Sequence, residues 1–86
     1  PDAFVFRASA YRYLDKLDEA EADANRALGL DPDHPEGLLE RGIVRRLKGD
    51  NGGARSDWLR VLREAPGTAA ARAAGANLEK MDVKTE

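Results

Sequence analysis

The chain contains no cysteine, which excludes disulfides, thiolate nucleophiles and cysteine metal sites and leaves the compartment open between cytosol and periplasm. Aromatic residues are few, with one Trp, two Tyr and two Phe, so most apolar burial has to come from Leu, Ala and Val. No apolar run approaches the roughly 18 to 20 residues that span a bilayer, and nothing at the amino end resembles a secretory signal. A soluble chain without membrane insertion is expected. Catalytic signatures are missing too: there is no nucleophile beside a base, no glycine-rich phosphate loop and no H-E-x-x-H. Gly52 and Gly53 follow a helical pattern and a turn, with no strand before them, which is not the context for dinucleotide binding. The chain therefore reads as a non-enzyme without cofactor or metal.

What is present fits one small domain. At 86 residues a single core is only marginally stable. With 42% apolar and 35% charged residues, the expected product is a thin core under a highly charged surface. The net charge of -2 hides an asymmetry, because residues 1–43 carry five Lys/Arg against ten Asp/Glu, and the remainder nine against six. The chain opens on Pro1 with no initiator Met, which points to a part excised from a longer protein.

Self-comparison shows a period of 34 residues. That step pairs Pro1 with Pro35, Arg7 with Arg41, Arg12 with Arg46, Ala20 with Ala54, Asp23 with Asp57, Arg26 with Arg60, Leu28 with Leu62 and Pro32 with Pro66. Each unit reads as two helices. Phe4, Val5, Ala8 and Tyr11 form a stripe at three- and four-residue spacing, predicting a helix from about Ala3 to Leu14. After a break at Asp15 and Lys16, the acids Asp18, Glu19 and Glu21 complement the amino end of a second helix, with Ala20, Ala24, Ala27 and Leu28 inward. Asp31-Pro32 ends it. The second unit repeats the plan, with Leu38 and Gly42, a turn at Gly49 to Gly52, and then Ala54, Trp58, Val61 and Leu62. Ala65-Pro66-Gly67 closes that unit. Thr68 is the expected cap of a fifth helix carrying Ala70, Ala73, Ala74, Asn77, Leu78 and Met81.

These residues resemble the tetratricopeptide repeat family, through Phe4, Ala8, Tyr11, Ala20, Ala27 and Pro32 in the first unit and Leu38, Gly42, Ala54, Val61 and Pro66 in the second. The resemblance implies an all-α fold: a right-handed α-solenoid of two helix-turn-helix units, 1–34 and 35–68, with a capping helix over 69–82 and a frayed tail at 83–86. Ala8 and Gly42 would let paired helices approach, with Ala20 and Ala54 small at the start of each second helix, while Trp58 and Tyr11 fill wider gaps. Arg7 and Arg41 stand where the family usually has leucine, and Gly52-Gly53 should leave the second helix of unit two loose at its start.

The resemblance also implies a function in protein binding, with the first helix of each unit lining a concave groove for a peptide or helix of a partner. By carry-over the groove residues are Val5, Phe6, Ser9, Arg12 and Tyr13, then Leu39, Glu40, Ile43 and Arg46, and Asn77 from the last helix. The competing reading is that Phe6, Tyr13 and Ile43 pack against neighbouring repeats or a mate. Relatives that clamp the terminal carboxylate of chaperones use cations at positions that here hold Val5, Ser9, Glu40, Ala70 and Ala74, so that ligand is not expected.

Other candidates have plainer readings. Arg41, Arg45, Arg46 and Lys48 form a basic run, but the acidic balance and lack of interleaved exposed aromatics favour a solvated face over nucleic-acid contact. His34, between Asp31-Pro32-Asp33 and Pro35-Glu36, reads as part of a turn rather than a metal site. The alternative function is structural, as the end of a longer superhelix or as a homodimer that completes the stack, since two units make a short array.

Overall fold

The structure is a computed structural model that describes residues 1–83, with Val83 described by its backbone alone. Among the described residues there are five helices and no strand: α1 (Asp2–Tyr13), α2 (Leu17–Leu30), α3 (Pro35–Leu47), α4 (Asn51–Glu64) and α5 (Ala69–Val83). Each helix packs on the next in sequence, and α3 also approaches α1 and α5. Among the described residues α2 and α4 do not approach each other, nor does α1 reach α4 or α5. No helix is long and apolar enough to cross a membrane.

Two turns one repeat apart share one hydrogen-bond pattern. Lys16 N donates to Tyr11 O at 2.8 Å and Asp15 N to Arg12 O at 2.9 Å; in the second unit Asp50 N donates to Arg45 O at 2.8 Å and Gly49 N to Arg46 O at 2.9 Å. This pairing closes a helix around a residue in the left-handed region. Gly49 holds it at φ 92°, and Asp15, a non-glycine, at φ 62°.

Helix starts follow different local chemistry. The Asp50 carboxylate caps α4 by accepting from Gly53 N at 2.9 Å. A β-carbon on Gly53 would stand 2.8 Å from the Asp50 Cγ, so glycine leaves the capping carboxylate its room. The start of α4 is thus capped at the Gly52-Gly53 step, and α4 takes in Asn51 and Gly52, which the sequence pattern places in the turn. Thr68 caps α5 as expected, with Ala71 N donating to its Oγ1 at 3.1 Å. Helix α5 reaches Val83, one residue into the segment expected to fray; the rest of that segment, 84–86, lies outside the described residues.

The main core gathers Leu28, Leu38, Ala54, Trp58, Val61, Ala70, Ala71, Ala74, Leu78 and Met81, with Leu39 and Ile43 packed at its edge. Trp58 is its largest fully buried side chain, and its Nε1 donates to Leu39 O at 3.2 Å. Gly42 makes room for this ring, because a β-carbon there would lie 2.6 Å from the indole Cδ1. In the first unit Ala8, Ala20, Ala24 and Ala27 are fully buried, so helices α1 and α2 meet through small side chains.

Candidate functional site

Helix α3 is tied to both α2 and α4 by charge. Arg41 donates to Asp57 through Nε at 2.9 Å and Nη2 at 2.8 Å, and Arg45 adds Nη1 to the same carboxylate at 3.2 Å. Toward α2, Arg41 Nη1 reaches Asn25 Oδ1 at 2.9 Å, Arg45 reaches Glu21, and Lys48 Nζ donates to Asp18 at 2.7 Å and Glu21 at 2.8 Å. One repeat earlier Arg7 makes the same two-point contact with fully buried Asp23, at 2.6 and 2.9 Å. Arg26 shares that carboxylate. The hydrogen bond from Arg7, followed by that from Arg26, holds the Asp23 carboxyl below the usual range against the opposing effect of burial. Lys48, bonded first to Asp18 and then to Glu21, has its ammonium pKa raised.

This corrects the reading of Arg41, Arg45 and Lys48 as a solvated face: all three are spent on ion pairs between helices. His34 belongs to the turn as expected, its backbone N donating to Asp31 O at 3.0 Å. Its Nδ1 accepts from Gly37 N at 3.0 Å, capping α3, and its Nε2 donates to Asp2 Oδ1 at 2.9 Å, so both ring nitrogens serve to fix the start of α3 against α1.

The proposed groove residues divide into a closed half and an open half. In the closed half, Arg12 on α1 grips Glu40 on α3 through two hydrogen bonds, the second, from Nη2, at 3.3 Å. Arg12 also reaches Ser9 Oγ at 3.5 Å and lies over the Tyr13 ring, 4.7 Å from its centroid. The hydrogen bond to Glu40 raises the Arg12 pKa. Val5 and Glu40 are buried, which removes both from direct presentation to a partner. Their burial follows from packing in the α1, α2 and α3 corner, where Glu40 brings its charge inside only with Arg12 against it. Phe6 and Tyr13, a near-integral two helical turns apart on α1, are 73% and 79% exposed and stand clear of the core.

In the open half, Ile43, Arg46 and Leu47 of α3, Trp58 of α4, and Asn77 and Lys80 of α5 line a cavity of about 240 Å³. Three of the sequence-predicted residues, Ile43, Arg46 and Asn77, are therefore brought together. Leu47, Trp58 and Lys80 were missed as lining residues. Lys80 was within reach of the repeat argument, since it lies one further 34-residue step beyond Arg12 and Arg46. Leu39 of α3 sits at the edge of the core.

Comparison with known proteins adds one partial relationship. No protein-family profile matches the chain. Over 60 residues, 70% of this chain, it is 38% identical to a protein of Xylella fastidiosa (strain 9a5c) named "UPF0162 protein". The matched stretch is 21% of that protein, so the chain spans about a fifth of the length of the curated relative it resembles.

Proposed function

We propose that the chain is a tetratricopeptide-type interaction module, a right-handed solenoid of two helix-turn-helix units closed by α5, that holds a peptide or helix of a partner protein and performs no catalysis. The solenoid reading is supported by the stepwise contacts, in which α1, α3 and α5 approach in sequence while α2 and α4 stay apart. It is further supported by the Arg7–Asp23 and Arg41–Asp57 clasps and the two matching turns, each repeated at the same chain interval. Nearest-neighbour stacking of this kind is how repeat arrays extend a single surface.

The observation that carries the binding role is the open cavity bounded by α3, α4 and α5, lined by apolar Ile43, Leu47 and Trp58 together with polar Arg46, Asn77 and Lys80. The consumption of Arg41, Arg45 and Lys48 by internal acids favours a protein partner over a nucleic acid. A second reading, self-association through α1, is favoured by exposed Phe6, Tyr13 and Leu14. Light scattering at low and high salt separates the two. A single-chain mass at high micromolar concentration removes the second reading, and a dimer means that the exposed side of α1 is taken by a second copy.

A further inference from the structure

Among the described residues, Arg46 is the one arginine whose side chain makes neither a hydrogen bond nor an ion pair; every other arginine side chain has at least one acceptor. The internal repeat explains why. In the first unit Arg12 is met by Glu40, 28 residues further on. The same interval from Arg46 lands on Ala74, which is fully buried and carries no acceptor. The second unit therefore has no carboxylate of its own for this arginine, and Arg46 lines the cavity instead. Lys80 adds a second cation that makes no ion pair among the described residues, and no acidic side chain lines the cavity.

We infer that this cavity receives a side-chain carboxylate from an acidic segment of a partner polypeptide, with Arg46 and Lys80 taking the charge, Asn77 hydrogen-bonding beside them, and Ile43, Leu47 and Trp58 covering an adjacent apolar side chain. The partner thus supplies in trans the acid that Glu40 supplies to Arg12 in cis. The charge complementarity is local, since the chain as a whole is acidic. Guanidinium and ammonium groups beside an apolar wall hold a carboxylate more firmly than in open solvent, because the wall lowers the local dielectric. This inference rests on the docking face proposed above and names its partner's chemistry.

The test uses the 86-residue chain and two blocked peptides, acetyl-Ala-Leu-Glu-Glu-Leu-Ala-amide and its counterpart with Gln for Glu, followed by the emission of Trp58, the only tryptophan. The Glu peptide is expected to bind saturably and about tenfold more tightly than the Gln peptide, the difference expected of one charge-assisted contact. Added salt should reduce that preference. Arg46→Gln should abolish it, as should Ala74→Glu, which supplies the acid internally. Should Ala74→Glu fail to fold, as judged by its thermal melt, Arg46→Gln and Lys80→Gln decide the matter. Equal binding of the two peptides overturns the acid preference and leaves the docking face standing. Binding of the Glu peptide that Arg46→Gln does not weaken also overturns it, as does failure of both peptides to bind, with the solution mass separately testing self-association.

Discussion

Arg41 on α3 clasps Asp57 on α4 with two hydrogen bonds of 2.9 and 2.8 Å, and the aspartate it holds is 3% exposed. A buried carboxylate left without its cations has no solvent to turn to, so truncating one partner costs far more than the pair is worth. Removing the cations is the informative direction. Arg41→Ala combined with Arg45→Ala is expected to lower stability by about 3–5 kcal/mol, read as a fall in the urea midpoint. Asp57→Leu in the same background should recover part of the loss. The first-unit clasp is softer, because the Arg7 side chain is 54% exposed against 19% for Arg41, and Arg7→Ala should cost less than Arg41→Ala.

Gly42 tests how closely α3 and α4 must pack. Any β-carbon there meets the Trp58 indole, which is wedged in the core and tethered to Leu39 O. Gly42→Ala gains helix propensity but forces the ring aside, and overpacking of this kind costs about 1–3 kcal/mol. A lowered melting temperature with a shifted Trp58 emission maximum is the expected result. By contrast Gly52→Ala, which has open space around it, should stabilise α4.

The turn after α1 is built like the turn after α3 but with the wrong residue for its geometry. Asp15 sits at φ 62° where Gly49 sits at 92°. Left-handed backbone costs a residue with a β-carbon about 1–2 kcal/mol, less for Asp than for most. Asp15→Gly should raise stability by about 0.5–1 kcal/mol in chemical denaturation, whereas Gly49→Ala should lower it.

Acid should loosen the interhelical ion pairs in a defined window. Asp23, held down first by Arg7, Glu21, held down first by Lys48, and Asp18, held down by Lys48, all have native carboxyl pKa values below their ordinary ones. As pH falls through about 4 the unfolded chain takes up protons first, so the stabilisation, complete above that range, is lost as the pH drops through the lower native values. Urea midpoints are expected to be flat from pH 7 down to about 5 and to fall below about pH 4. Asp23→Asn should flatten the acid limb more than Asp18→Asn, because Asp23 is fully buried and Asp18 exposed.

The helices were legible because their signals are local. Alanine spacing marked the inner stripe of α2, Asp31-Pro32 its end, and Thr68 the start of α5, each within a few residues of its effect. The functions of the charged residues were less so, since Arg41, Arg45 and Lys48 find their acids 12 to 30 residues away, on other helices. Their shared face looks the same in sequence whether it meets water or carboxylates. One clue was nevertheless present, because Arg7 with Arg41 and Asp23 with Asp57 repeat together, and a joint repeat of opposite charges signals a repeated contact. At the site, positions carried over without their packing include Val5 and Glu40, which are buried, while Ile43, Arg46 and Asn77 line one cavity.

The face formed by α1, α3 and α5 is the centre of this account, and mapping amide chemical shifts during titration with the acidic peptide tests it most directly. Perturbations are expected to gather at Ile43, Arg46, Leu47, Asn77 and Lys80 and to leave the outer surfaces of α2 and α4 unchanged. Perturbations centred on α2 or α4, with the α3 and α5 amides unmoved, would contradict it.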